Sequence, residues 1–203
     1  SISASRFVKT GIVGVVGKDF PEEHFNLFHE CDVDTAGVKV EEGKTFHWKG
    51  YYEGDMAHAH TVDTQLGVFA GFNPELPENY RDAPFVFLGN IHPSLQLSVL
   101  DQVRKPLLVG ADSMNLWINT TREELEKVIR RVDLMFLNDA EARAIAGEFN
   151  LNKAAHAILS KGPKVVIIKR GENGASIHTR DLCFWAPAVP LTEVYDPTGA
   201  GDT

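Results

Sequence analysis

Short apolar runs alternate with amphipathic stretches from Pro84 onward. The apolar runs predict strands at 85–88, 107–109, 134–137 and 165–169. The amphipathic stretches predict helices at 93–103, 121–131, 139–147 and 151–161. Strands that alternate with helices build a mostly parallel central sheet flanked by helices on both faces, so the pattern predicts an α/β fold.

The earlier part of the chain has a different rhythm. Residues 10–17 predict a buried strand and residues 21–29 a short helix. Residues 38–40 and 45–48 predict the two strands of a hairpin around the turn 41–44, and aromatic residues follow it closely.

Polar residues stand where the predicted strands end. Asn90, Asp112, Asn138 and the neighbours Lys169 and Arg170 all follow apolar runs in this way. Ligands bind outside the carboxyl ends of the strands in open α/β sheets. We therefore expect these side chains to lie at one functional edge, with no role assigned to Asp112.

Two segments have the spacing of a helix-capping box. Thr121 precedes Glu124, and Asn138 precedes Glu141, each by three residues. For Asn138 and Glu141 a second interpretation is open. A strand end and the first helical turn after it can point the same way, and together they could hold hydrated Mg²⁺ with its phosphates.

Composition narrows the class of function. The chain has 203 residues, 43% of them hydrophobic, and a formal charge of −8. The negative charge and the absence of long basic runs argue against nucleic acid as a partner. No apolar stretch reaches the roughly 18 residues of a membrane span, and the two cysteines have no metal-ligand spacing, so a cytoplasmic location is expected.

The most informative motif is the small-residue turn at 196–203, which reads Asp-Pro-Thr-Gly-Ala-Gly-Asp-Thr. Glycine and alanine let backbone amides approach an anion closely, and the carboxylate of Asp202 lies beside them in sequence. This combination is typical of phosphoryl transfer, although a glycine-rich turn before an ordinary surface helix remains the alternative.

The turn resembles the second signature of the PfkB sugar kinases, a family of ribokinase-like fold, whose motif is Asp-Thr-x-Gly-Ala-Gly-Asp. Pro197 replaces the usual Thr or Ser, and the rest matches. The resemblance implies ATP as phosphate donor, Asp202 as the catalytic base, and an anion hole made by Gly199, Ala200 and Gly201. Asn138 and Glu141 match the Asn-x-x-Glu motif of the same family, in which they would serve ATP and Mg²⁺.

A further segment, Lys169 to Gly174, resembles the Lys-x-Gly-x-x-Gly turn that lies along the nucleotide in this family. The resemblance makes Lys169, Arg170, Gly171 and Gly174 candidates for ATP binding, while a plain hairpin with Asn-Gly at its corner also explains the pattern.

The resemblance also suggests a monovalent cation site. Asp196 and Thr198 would contribute to it with K⁺ as the ion, and Thr198 would also contact ATP. Capping of the local backbone by Asp196 is the equal alternative.

In this family the region we delimit as 36–66 is a β lid over the substrate, and the main domain would comprise 1–35 and 67–203. We therefore expect Phe46 and Asn90 to contact substrate together with Asp202. Stacking by lid aromatics favours a nucleoside over a bare sugar. The same aromatics could instead form the core of the lid or the contact of a homodimer.

Relative to whole family members, the chain is expected to lack parts at both termini. Kinases of the hydroxymethylpyrimidine or pyridoxal type, and a sugar- or nucleoside-binding regulator without turnover, are the alternatives to a sugar or nucleoside kinase. The glycine spacings of P-loop and dinucleotide-binding proteins are absent.

Overall fold

A computed structural model describes residues 1–53, 59–196 and 198–202, with the backbone alone for Ala59 and Asp202. The chain divides into two compact units. The first comprises Ser1–Tyr80 and Glu193–Thr203, and the second comprises Arg81–Thr192.

The first unit contains two small sheets. Its helices and strands are α1 (Ile2–Ser5), β1 (Thr10–Gly17), α2 (Glu22–Glu30), β2 (Val33–Glu41), β3 (His47–Tyr52) and β4 (Ala59–Gln65). β1 and β2 pair in parallel, and the helix α2 connects them in the chain. β3 and β4 form an antiparallel hairpin. Three 3₁₀ turns complete it: Gly67–Gly71, Glu78–Tyr80 and Ala200–Asp202.

The hairpin expected around residues 41–44 is wrong. The segment 38–40 belongs to β2 and pairs with β1, whereas the hairpin lies further on, between β3 and β4. Gly37 is buried in β2, and a Cβ on it would lie 2.5 Å from the carbonyl oxygen of Ile12 in the neighbouring strand. The absence of a side chain on Gly37 permits the close approach of β2 to β1. Alternation of residue types could not reveal which strand would be the partner.

The chain between the two small sheets is fastened to the end of β1. Thr45 donates from its backbone N–H and from its hydroxyl to Asp19 Oδ1, both at 2.7 Å, and its hydroxyl accepts from Gly17 N at 3.0 Å. These bonds, the backbone one first, lower the pKa of Asp19. Beyond β4, Val68 N donates to Lys44 O at 2.8 Å, so both ends of the hairpin segment meet at one place.

The second unit is a six-stranded sheet with helices. Its strands are β5 (Phe85–Leu88), β6 (Leu108–Asp112), β7 (Leu134–Asn138), β8 (Val165–Lys169), β9 (Ala175–His178) and β10 (Cys183–Ala186). Its helices are α3 (Pro93–Leu100), α4 (Asn115–Thr120), α5 (Arg122–Ile129), α6 (Asp139–Ala146) and α7 (Leu151–Leu159). The strands lie in sequence order, with β5 to β8 parallel and β9 and β10 antiparallel.

Alternate positions on the central strands supply the core of this unit. Met135 and Leu137 on β7 and Val166 and Ile168 on β8 are fully buried, and the residues between them are half-buried. The α/β class with a mostly parallel sheet is confirmed. The corner between β8 and β9 is also the expected hairpin, built on a 3₁₀ turn at Gly171–Asn173.

One of the two expected capping boxes is absent. Thr121 stands before α5 but makes no side-chain cap there, because its hydroxyl donates to Trp117 O in the preceding helix at 3.4 Å. None of the helices in the described part of the chain combines the length and the apolar composition of a membrane span.

Candidate active site

The turn that begins at Asp196 is stabilised by its own side chains. Asp196 Oδ1 accepts from Thr198 N at 2.9 Å, so the expected local capping is present. Hydrogen bonds from the hydroxyl and the backbone N–H of Thr198 lower the pKa of Asp196. The role of Asp196 and Thr198 as ligands of K⁺ stays a prediction.

Gly199 gives the turn an open side. Its φ of +77° lies in the left-handed region that favours glycine, and among the described residues, apart from its two chain neighbours, no atom lies within 4 Å of the place where a Cβ would stand. Ala200, Gly201 and Asp202 continue as a short 3₁₀ turn. The anion hole expected at Gly199, Ala200 and Gly201 stays a prediction. The part taken by the Asp202 carboxylate stays a prediction.

Two aromatic residues of the first unit, Tyr52 and Phe46, concern the expected contacts with substrate. The hydroxyls of Thr198 and Tyr52 lie 3.4 Å apart, which places β3 beside the turn. The Phe46 ring meets Phe69 edge-on, with 5.9 Å between centroids, and 43% of the residue is exposed. Phe46 thus packs within its own unit and keeps free surface, and its contact with substrate stays a prediction.

Asn138 and Glu141 form a complete capping box at the start of α6. Asn138 Oδ1 accepts from Glu141 N, and Glu141 Oε2 accepts from Asn138 N, each at 2.8 Å. The capping interpretation is thereby confirmed. Glu141 is only 6% exposed, and burial raises the pKa of its carboxyl group. The charge of Asp112 also raises it, while the bond from Asn138 N and the charge of Lys169 lower it.

Asp112 provides the charge partner of Lys169. Lys169 Nζ lies 3.2 Å from Asp112 Oδ2, and the aspartate is buried with 7% of the residue exposed. Asn138, Glu141, Lys169 and Asp112 thus share the carboxyl edge of β6, β7 and β8. The position of Asp112 after an apolar run is the sequence signal that could have given it this role.

The turn after β8 is arranged around two glycines with positive φ. Gly171 (φ +54°) has open space where a Cβ would stand, and its carbonyl oxygen accepts from Gly174 N at 3.0 Å, so its contact with ATP stays a prediction. Gly174 (φ +82°) is different, because a Cβ there would lie 2.0 Å from Ala186 O. Gly174 is therefore required because the backbone at Ala186 lies so close to it, and its contact with ATP stays a prediction. The guanidinium of Arg170 stacks on the Trp185 ring, 4.4 Å from its centroid.

Asn90 is exposed at the end of β5, where its side-chain oxygen accepts from Trp117 Nε1 at 2.9 Å. On the next strand end, Ser113 Oγ is buried without a hydrogen-bond partner among the described residues. Such hydroxyls are uncommon in proteins and point to a water or a ligand group at that place. Trp117 gave no signal in the sequence, since its bond to Asn90 spans 27 positions.

The oxygen-rich edge of the second unit suits a hard cation better than a soft one. Among the described residues no three His, Cys, Asp or Glu side chains stand together as ligands. Mg²⁺ needs few protein ligands because it keeps its waters and binds phosphates. The buried Glu141 and Asp112 therefore fit Mg²⁺ held through water, and a cage of direct ligands is not available there.

Comparison with known proteins identifies the group to which the fold and the motifs belong. A cytidine kinase of Thermococcus kodakarensis is 30% identical over 204 residues, which cover 96% of this chain and 70% of that protein. The solved structure of a ribokinase II-like protein of Escherichia coli, in complex with ATP and Mg²⁺, matches with a TM-score of 0.82 and 21% identity. It is matched over 99% of this chain and 69% of its own.

A nucleoside kinase of Methanocaldococcus jannaschii, described as an archaeal member of the ribokinase family, matches with a TM-score of 0.78 and 20% identity. Here 99% of this chain and 66% of that one are covered. These structural matches show that the fold is ribokinase-like. The model of the pfkB family carbohydrate kinases matches residues 2–203, and the chain belongs to that family.

Proposed function

We propose that the protein transfers the γ-phosphate of ATP to an alcohol group of a sugar or nucleoside. The observation that carries this proposal is the turn at Gly199, which has a left-handed φ and open space where a side chain would stand, and whose sequence ends in Asp202. Backbone amides in such a turn stabilise the charge that develops on a phosphoryl group. Membership in the pfkB family supports the same reaction.

Asp202 is the group proposed to receive the proton of the attacking hydroxyl. A carboxylate with a pKa near 4 is a weak base for an alcohol. In a loose transition state the hydroxyl becomes acidic only as its bond to phosphorus forms, so Asp202 chiefly orients it. The amides of Gly199, Ala200 and Gly201 bind the phosphoryl oxygens.

The carboxyl edge of the second unit supplies the groups proposed for ATP. Lys169 would bring a positive charge toward phosphate, and the open space beside Gly171 leaves room for the nucleotide. Asn138 and Glu141 would hold Mg²⁺ through water, and the ion would neutralise phosphate charge. The E. coli relative was solved with ATP and Mg²⁺, which supports this choice of donor and cofactor.

A nucleoside is the proposed acceptor in preference to a free sugar. The relatives include a cytidine kinase and a nucleoside kinase. Exposed aromatic surface on Phe46 and Tyr51 of the first unit suits the face of a nucleobase.

Acceptor-dependent release of ADP tests the proposal. The intact protein would be incubated with ATP, Mg²⁺ and one of cytidine, inosine, ribose or pyridoxal. We expect release with a nucleoside and little or none with pyridoxal. Release with pyridoxal alone would select the pyridoxal-type kinase, and saturable binding of cytidine or ribose without release would select a regulator.

A further inference from the structure

The side chain of Arg170 is held at both of its ends. At the backbone, Arg170 N donates to Gly174 O at 2.8 Å, and Arg170 O accepts from Asn173 N at 3.0 Å. At the far end, the guanidinium lies over the ring of Trp185, 4.4 Å from its centroid. Because few rotamers of a long side chain satisfy both anchors, the positive charge has a defined place beside the end of β8.

The Trp185 ring that supports the guanidinium is itself fixed within the sheet. Trp185 lies on β10, directly opposite Ser176 of β9. Its Nε1 donates to Cys183 Sγ at 3.0 Å. Its ring meets the buried His178 ring edge-on, with 6.5 Å between centroids. Since 45% of the tryptophan is exposed, the stacked pair is supported from within the sheet and is accessible from solvent.

Arg170 and its neighbour Lys169 differ in what their charges face. Lys169 Nζ lies 3.2 Å from the carboxylate of Asp112, so its charge is already partly balanced. Among the described residues, Arg170 has no carboxylate within ion-pair distance, and its guanidinium has no hydrogen-bond acceptor. Stacking occupies only the face of a guanidinium, whereas its N–H donors point outward in the plane. The donors of Arg170 are therefore available to a ligand.

The same edge of the sheet carries negative charge that a polyphosphate must overcome. Asp112 and Glu141 are both buried there, with 7% and 6% of their surface exposed. Carboxylates repel an approaching phosphate, most strongly where water is excluded. A cation beyond Lys169 is needed to offset this repulsion, and Arg170 is placed at the end of the next strand.

We propose that Arg170 donates its in-plane N–H groups to phosphate oxygens of ATP, and that Trp185 is the positioning residue that holds the guanidinium for this contact. This inference rests on the proposed function. Arginine suits the contact better than lysine does, because its planar fork can donate two parallel hydrogen bonds to one phosphate. The Trp185 ring keeps that fork in one plane without competing for its donors.

Three variants separate the donor from its support. Arg170→Gln removes the charge and should weaken the binding of ATP with Mg²⁺ about ten- to a hundredfold. Trp185→Leu removes the aromatic face and should weaken it about two- to fivefold. Trp185→Phe keeps a ring under the guanidinium and loses the bond to Cys183, and it should bind ATP within about twofold of the parent protein. The affinity for cytidine should stay at its parental value in all three.

A double variant distinguishes positioning from a general effect on the fold. If Trp185 acts through Arg170, Trp185→Leu should cost no further affinity for ATP when it is added to Arg170→Gln. Calorimetry with ATP and Mg²⁺ measures the parent protein, the two single variants and the double variant. Phe184→Leu removes an exposed ring from the adjacent position of β10, and Arg180→Gln removes an exposed arginine between β9 and β10. Both are matched controls and should bind ATP as the parent protein does.

Two results would overturn the inference. One is parental affinity for ATP in Arg170→Gln, and the other is an equal loss from Trp185→Leu with and without Arg170. Either result leaves the proposed function intact when the parent protein releases ADP with an acceptor. If the parent protein neither binds ATP nor releases ADP with cytidine, inosine or ribose, the proposed function fails and the inference fails with it.

Discussion

Asp112 and Lys169 belong to strands that do not touch, yet their charged groups meet at 3.2 Å. β7 lies between β6 and β8, and its Asn138 pairs with Lys169 while its Phe136 pairs with Asp112. The lysine side chain therefore reaches back across β7 to the aspartate. One ion pair thus joins the carboxyl ends of β6 and β8 across β7, at the edge proposed for ATP.

Asp112→Asn should lower the free energy of unfolding by about 1–3 kcal/mol, because it leaves a half-buried ammonium without its carboxylate. It should also raise the KM for ATP several-fold. Urea denaturation and initial rates measure the two effects. Asp101→Asn is the control, since that carboxylate pairs with Arg131 on the surface at 2.6 Å and should matter by less than about 1 kcal/mol. If Asp101→Asn changed the free energy of unfolding and the KM for ATP as much as Asp112→Asn, the ion pair of Asp112 with Lys169 would have no special role.

Glu141→Gln should keep the helix cap and lose the buried charge. A folded-state pKa raised above the usual 4.5 means that the ionised carboxylate costs stability once the pH exceeds that value. The glutamine variant should therefore be at least as stable as the parent protein at pH 7, and this advantage should fade as the pH falls toward 4.5. Glu141→Ala should lose about 1 kcal/mol through the missing cap.

Both variants at Glu141 should bind Mg²⁺ with ATP more weakly. Thermal melts across pH and titration with Mg²⁺ in the presence of ATP measure these outcomes. A glutamine variant that is clearly less stable than the parent protein at pH 7 would contradict the sign of the argument.

Asp202→Asn should reduce kcat by about 10²–10⁴-fold, the usual contribution of a positioned proton acceptor, with a smaller change in ATP affinity. Steady-state rates with the acceptor found by ADP release provide the measurement. Asp181→Asn makes the same change at an exposed loop position and should leave kcat unaltered. Near-normal turnover of Asp202→Asn would exclude Asp202 as the base.

The rate should be several-fold higher in KCl than in tetramethylammonium chloride at equal ionic strength. Asp196 already orders the turn through Thr198 N, and a cation beside its carboxylate would order it further. Asp196→Asn should abolish the difference between the salts. Equal rates of the parent protein in both salts would leave Asp196 as a backbone cap alone.

His178 should make stability depend on pH. The histidine is only 1% exposed. Burial is the main cause that lowers its pKa from 6.5, and the charge of His156 lowers it further. The unfolded chain binds the proton more readily, so this contribution is complete above pH 6.5 and is lost as the pH falls toward the folded-state value. Thermal melts between pH 5 and 7 should show a weaker slope for His178→Gln. His47→Gln, at an exposed position, should keep the parental slope.

The sequence predicted the second unit better than the first. The runs 85–88 and 165–169 match β5 and β8, because a buried strand bounded by turns has a strong local pattern. β10 and the short helix α4 were missed, since neither has a period long enough to detect. The pairing of β2 with β1 was missed as well, because a glycine such as Gly37 shows nothing in sequence of the strand it will approach.

The candidate site, too, was predictable from the sequence only where its contacts are local in the chain. Asn138 and Glu141 could be found because three residues separate them and a cap is a local structure. The contacts of Lys169 with Asp112 and of Asn90 with Trp117 join positions far apart in the chain. Only the packed sheet brings such positions together. The sequence could therefore indicate which residues stand at strand ends, and it could not indicate which residues they contact.

The bond between Lys44 O and Val68 N, together with the bonds of Thr45 to Gly17 and Asp19, brings the two ends of the β3–β4 segment together at the end of β1. A loop whose ends already touch can change in length or sequence at small entropic cost to the rest of the chain. Evolution or design could therefore vary the segment between residues 46 and 66 as a cassette, provided that the contacts of Phe46 with Phe69 and of Tyr52 with Thr198 are kept.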